Sequence, residues 1–128
     1  MTLARTIARI VIALCMLMGI FSFMPPPPQP GLGGQFATLF FQSHWGQIIG
    51  LAQITAAVLL LINRYVPVGL IIVAAFLYNS LAFHLTTSPA LLPLPLALVA
   101  LVVFVAWDYR DAFVALFTAK RTIAQVRT

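Results

Sequence analysis

The chain has 128 residues, of which 62% are hydrophobic and only 7% charged. A soluble domain carries about a quarter of its residues as charges to face water, so this composition excludes an ordinary soluble globule and points to lipid as the solvent. The net charge of +5 does not mark a nucleic-acid site, because Arg5, Arg9, Arg64, Arg110, Lys120, Arg121 and Arg127 flank apolar runs instead of clustering on one polar face.

Ile7 to Met24 is an almost unbroken apolar run holding the single cysteine, Cys15, which reads as a small hydrophobe within a helix. One cysteine offers neither an intrachain disulfide nor a Cys-x-x-Cys redox or metal motif. Basic residues ahead of such a run are also found in signal peptides. Here the run is long and no small-x-small site precedes the prolines, so a retained span is expected. Pro25-Pro26-Pro27-Pro28 ends it, since proline lacks the N–H and clashes with the preceding turn. The segment up to Ser43 joins that stiff, extended stretch to Gly31, Gly33 and Gly34, where tight turns are allowed. Phe36, Leu39, Phe40 and Phe41 are too apolar for a freely solvated loop. They predict a cap folded back on the helix ends, as a short interfacial helix or as a loop.

Three more apolar runs follow, Trp45 to Ile62, Val66 to Leu85 and about Leu91 to Trp107. Pro93 and Pro95 stand near the start of the last, where a helix tolerates proline. Each run is roughly 17–20 residues, enough to span a hydrocarbon core, and each should be helical because backbone polar groups find no partners in lipid. The expected fold is all-α, an integral membrane four-helix bundle forming a single domain over residues 1–128. No Lys or Arg occurs in Pro25–His44 or Thr86–Pro93. The positive-inside rule therefore places both termini and the turn at 63–65 in the cytoplasm and the proline-rich cap outside. Trp45 at one interface and Trp107 with Tyr109 at the other agree with that orientation. In the tail, 108–128, Phe113, Leu116 and Phe117 recur at helical spacing ahead of Lys120, Arg121 and Arg127. This pattern fits a short amphipathic helix on the anionic inner leaflet, or a frayed basic tail.

Polar side chains within the runs carry the functional signal, because each is costly in lipid unless satisfied. Gly46, Gly50, Gln53 and Ala57 share one helical stripe. They read as a packing seam in which small residues let a neighbour approach and Gln53 hydrogen-bonds across it; a ligand role for Gln53 is the alternative. In the third run Ser80 and His84 lie one turn apart on one face, with Asn79 on a neighbouring one. Asn79 should sit roughly 7–8 Å deeper than His84. His44 starts the second run, so the expected topology brings both histidines to the outer leaflet. There they would cap and pack the helix ends, or contact a metal, a quinone head group or a proton. Two histidines with no carboxylate or thiolate at that end make a poor metal site, and no span shows the wide small-residue cleft a bis-histidine haem needs. No metal is therefore expected, no cofactor is certain, and a quinone-like molecule is the leading candidate ligand. On the inner side Asp108 is expected to pair with Arg5 or Arg64. A self-contained hydrolase or phosphotransferase is not expected, as the chain has no Ser-His-Asp set, no Gly-rich phosphate loop beside a lysine and no paired carboxylates in its spans.

The stretch Asn63-Arg64-Tyr65-Val66-Pro67, followed by Asn79 and His84 in Tyr78-Asn79-Ser80-Leu81-Ala82-Phe83-His84, resembles the DoxX family of small bacterial membrane proteins. Ala106-Trp107-Asp108-Tyr109-Arg110 at the end of the last run, and Met24-Pro25 with Phe36 in the outer loop, are similar to that family too. The resemblance runs from the first span to about Phe117. It implies a four-helix bundle in the bacterial cytoplasmic membrane, with Asn79 and His84 as the characteristic polar pair and Gln53 as a frequent glutamine of the second span. The Tyr-Asn-Ser context here is more polar than in many relatives. Functionally the resemblance implies an accessory subunit of a membrane assembly, with a link to quinol oxidation or oxidative stress. The alternative is an oxidoreductase component that binds quinone or another amphiphile around Asn79 and His84. A small transporter is weaker, since no buried acid is available for coupling. The partners expected besides the bilayer are another membrane protein or complex, or a second copy of the chain.

Overall fold

The computed structural model describes residues 2–118, and these are mostly helical with no strand among them. α1 spans Leu3–Leu17 and continues as a 3₁₀ segment over Met18–Phe23. It starts four residues before the apolar run, because the Thr2 hydroxyl caps it by accepting from the Arg5 amide at 3.3 Å. Arg5 and Arg9 thus lie inside the helix and not ahead of it. After the prolines, the expected cap segment is a helix and not a loop, α2 (Gly31–Gln42). α3 is Trp45–Leu61, α4 is Val66–Thr87 and α5 is Pro93–Ala106. Short 3₁₀ turns, Pro89–Leu91 and Trp107–Tyr109, flank α5, and α6 covers Arg110–Leu116. Of the tail, Phe113 packs against the core while Leu116 and Phe117 are exposed; Lys120, Arg121 and Arg127 lie outside the described residues.

Three stretches are long and apolar enough to cross a membrane, namely Leu3–Phe23, Val66–Thr87 and Pro89–Leu116. A fourth is added when α2 and α3, bent by 82°, are taken together. On its own the second expected span is short, since the 17 residues of α3 reach only about 25 Å. The bend falls at His44, whose φ of 62° is left-handed. A non-glycine residue there costs about 1 kcal/mol or more, and histidine is among the types that tolerate the region best. The Ser43 hydroxyl accepts from the Trp45 amide at 3.3 Å and starts α3 past the corner.

α1 packs on α3 and α5, and α4 packs on the same two. Ile12, Ala13, Met16, Ala56, Ala57, Leu60, Leu70, Val73 and Val105 meet inside and are almost inaccessible. Large apolar side chains such as Leu14, Ile48, Val68 and Val103 point outward, the arrangement lipid favours. The motif at residues 63–67 is a tight reversal. Arg64 N–H donates to the Leu59 carbonyl at 3.2 Å and Asn63 N–H to that of Leu60 at 3.3 Å. With Asn63 at φ 56° this is a Schellman stop, where asparagine is accepted because it tolerates the left-handed region. Tyr65, also left-handed, and Pro67 in the first turn then launch α4.

The end of the molecule opposite α2 is tied together by arginines. Arg5 pairs with Asp108, joining α1 to the end of α5, and its guanidinium also lies over the Phe104 ring at 5.1 Å. Arg9 is 7% exposed and donates to the Leu60 carbonyl. A cation is thereby held on the last turn of α3, where the helix dipole and the unfilled carbonyls favour it. Sequence alone gave Arg9 no role beyond its charge.

Candidate functional site

α2 runs from the end of α4 to the start of α3. Near its beginning, a Cβ on Gly33 would lie 3.7 Å from the Ser88 hydroxyl. Near its end, Phe40 lies against Gly46, where a Cβ would come within 2.8 Å of the ring. The absence of a side chain at Gly46 is therefore what lets Phe40 rest on α3. Four rings form a continuous cluster along this path. Phe36 and Phe40 stack at 5.3 Å, Phe40 meets Trp45 edge-on at 5.2 Å, and Phe36 meets Phe83 of α4 at 4.9 Å.

Beneath this aromatic roof, between α3 and α4, is a cleft of about 810 Å³. Its walls are Ile49, Ala52, Ile71, Ile72, Ala75, Phe76 and Ala82, with Thr86 and Thr87 near the roof. Gln53, Asn79 and Ser80 supply the polar groups further in. Ala52, Asn79 and Ala82 are exposed, so the cleft opens sideways, on the face of α4 turned away from the core. α3 and α4 are antiparallel, and Gln53 lies eight residues past Trp45 as Asn79 lies eight before Thr87. Both amides therefore sit about 12 Å from the roofed end.

The hydrogen bonding of this set is incomplete. Asn79 donates from Nδ2 to the Ala75 carbonyl of its own helix at 3.0 Å, and its Oδ1 has no partner among the described residues. Thr86 likewise bonds back to the Ala82 carbonyl at 2.8 Å. Gln53 is only 7% exposed, yet its amide makes no hydrogen bond among the described residues. It offers both a donor and an acceptor. Among the described residues the lining holds no histidine, cysteine, tyrosine, acidic or basic side chain.

Of the expected site residues, the structure brings Gln53, Asn79 and Ser80 together and leaves both histidines out. His84 falls seven residues after Leu77 and fourteen after Leu70, so it continues the buried stripe of α4 toward the interior. Its ring packs on Phe83 at 5.4 Å, and its Nδ1 is buried without a partner. His44 is exposed at the α2–α3 corner, where its contribution is the left-handed backbone. The small-residue stripe is also divided among neighbours. Gly46 meets Phe40, and Ala57 lies in the core with α1. At Gly50 a Cβ would come within 2.6 Å of the Gly19 carbonyl oxygen and 2.9 Å of Ser22. Gln53 packs on Gly19 and lines the cleft, but the hydrogen bond expected of it across the seam is not found among the described residues. The roof residues Phe36, Phe40 and Trp45 read from sequence as cap and interface anchor; only their common contact reveals a shared wall. Among the described residues no cluster of three or more His, Cys, Asp or Glu side chains could hold a metal ion.

No protein-family model, no curated protein and no solved structure matches this chain.

Proposed function

We propose that this protein is a four-span bundle of the bacterial cytoplasmic membrane that holds one amphiphile in an outer-leaflet cleft, as an accessory subunit of a redox-linked membrane assembly. The observation carrying the reading is the sideways-opening cleft itself. It is mostly apolar in its walls, aromatic in its roof and carries its two amides at depth, as expected of a small-molecule site entered from lipid. The orientation rests on Arg5, Arg9 and Arg64, which gather at the end opposite α2; the positive-inside rule puts that end, and both termini, in the cytoplasm. Counting α3 with its bent partner α2 as one span makes four and keeps both termini on one side. The DoxX resemblance supports the redox link.

A quinone fits the residues present: the amide of Gln53 and the hydroxyl of Ser80 can donate to a ring carbonyl, and Phe76 and Phe83 in the lining offer faces for a planar group. Bound there, a quinone would supply electron transfer. The chain's own contribution is to bind and orient, since among the described residues no ionisable side chain lines the cleft to move a proton. This division of labour favours a subunit that presents the ligand to a partner over a self-sufficient enzyme. Tyr78 supports a protein partner. It is 76% exposed near the midpoint of α4, where a phenol facing hydrocarbon would leave its hydroxyl unsatisfied.

The test is to extract the protein with its native lipid in polymer-bounded discs and to analyse the co-extracted lipid by mass spectrometry. One species should be enriched over the surrounding membrane and lost in Ala52→Phe/Ala82→Phe, which fills the cleft from two exposed wall positions. Identical lipid profiles for the two proteins would refute the reading.

A further inference from the structure

We infer that the cleft selects a neutral lipid whose polar part is a carbonyl- or hydroxyl-bearing ring lying deep in the membrane, and that Gln53 is the residue that recognises it. The inference rests on the amphiphile-binding reading above and narrows it. Three observations restrict the ligand, each excluding a different class.

The first is depth. Gln53 and Asn79 lie about 12 Å from the roofed ends of α3 and α4, whereas a phospholipid keeps its head group at the interface. A ligand satisfying these amides must carry its polar part into the hydrocarbon region. Only an uncharged head group does so cheaply.

The second is charge. Among the described residues no basic side chain lines the cleft, and Arg5, Arg9 and Arg64 are grouped at the other end of the helices. A phosphate here would be buried without a counter-ion, which a low-dielectric site does not tolerate.

The third is the Gln53 amide, nine-tenths buried and without a hydrogen-bond partner among the described residues, at the cleft wall. A plain acyl chain would leave it unpaired, so the occupant must bring hydrogen-bonding groups of its own. A ring carbonyl accepts from Gln53 Nε2, and a ring hydroxyl donates to Oδ1 of Asn79. Phe76 and Phe83, about one turn to either side of Asn79 on α4, line the cleft and offer flat faces to a ring at this level. The tail leaves through the open side past Ala52 and Ala82.

Trp45 forms part of this wall and is one of two tryptophans, so a Trp107→Phe protein reports on the cleft by fluorescence. The full chain would be placed in discs of phosphatidylethanolamine and titrated with decylubiquinone, its reduced form, or phosphatidylglycerol. Saturable quenching of Trp45 by decylubiquinone is expected, with phosphatidylglycerol failing to compete. Reduced decylubiquinone should compete for the same site. Gln53→Leu, matched in size, should weaken binding about tenfold, the loss of one hydrogen bond to a buried group. Asn79→Ala, on the other wall, should weaken it several-fold and guards against a folding defect at Gln53. Full competition by phosphatidylglycerol would overturn the neutral-lipid inference, as would unchanged affinity in both variants, while cleft binding stood. Absence of any saturable quenching, together with unchanged lipid in the cleft-filled protein, would overturn the amphiphile reading itself.

Discussion

Replacing Gly50 by alanine should destabilise the protein, whereas the same change at Gly69 should not, although both are buried glycines inside helices. At Gly50 the new Cβ would lie 2.6 Å from the Gly19 carbonyl oxygen and 2.9 Å from Ser22, whereas ordinary contact begins near 3.4 Å. The shortfall of about 0.8 Å is against backbone, so α3 and the 3₁₀ segment must move apart. Overpacking of this kind costs about 1–3 kcal/mol, and the better helix propensity of alanine returns up to about 1 kcal/mol. The net loss is about 1–2 kcal/mol. At Gly69 the closest atom is the end of the Leu60 side chain at 3.3 Å, with the Ala56 carbonyl oxygen at 3.4 Å. A small rotation of that leucine accommodates the methyl, and the propensity gain leaves the variant neutral or slightly stabilised. Reversible unfolding in mixed dodecyl maltoside and SDS micelles, followed by far-UV circular dichroism, ranks the two against the native chain. If Gly50→Ala proved as stable as Gly69→Ala, the close approach of the 3₁₀ segment to α3 would be wrong, and the placement of Gln53 with it.

His84→Leu should raise the unfolding midpoint, by up to about 1 kcal/mol, because it removes a buried ring nitrogen with no partner. It should also leave decylubiquinone affinity within about twofold of the native value; a tenfold loss would restore His84 to the site. A double-mutant cycle on Arg5→Met and Asp108→Asn should give a coupling of about 0.5–1 kcal/mol, since the side chains are 25% and 20% exposed, and additivity would deny the pair any role. For orientation, Cys15→Ala removes the one native thiol. Gln35→Cys in that background should react with an impermeant maleimide on intact cells, and Arg64→Cys only after permeabilisation. The reverse pattern would invert the topology and place the cleft in the inner leaflet.

The bent junction at His44 and the reversal at 63–67 illustrate where sequence reading stops. Asn63-Arg64-Tyr65-Val66-Pro67 stands out in the sequence, but its work lies in two backbone hydrogen bonds and two left-handed residues. Short-range pattern shows that the chain turns there and not how. His44 was noticed for its imidazole, whereas the fold uses its tolerance of positive φ. Gln53, Asn79 and Ser80 were conspicuous because polar groups in an apolar run are rare. Their meeting depends on the rotation of α3 against α4, which the low amphipathicity of these lipid-facing helices does not specify.

The helices themselves were legible from local composition, since lipid offers no partner for a peptide group and any long apolar stretch must satisfy its own. Charge placement pointed to an orientation for the same reason, because a charge avoids the hydrocarbon whichever way its helix faces. The partners of each side chain were not legible. Arg9 reaches across to a carbonyl of α3, Phe40 lies in the gap left by Gly46, and His84 follows the core stripe while Asn79, five residues earlier, faces the cleft. Those outcomes depend on how far each helix is turned about its axis. One hundred degrees per residue separates an interior position from a lipid-facing one, and close packing between helices sets that angle.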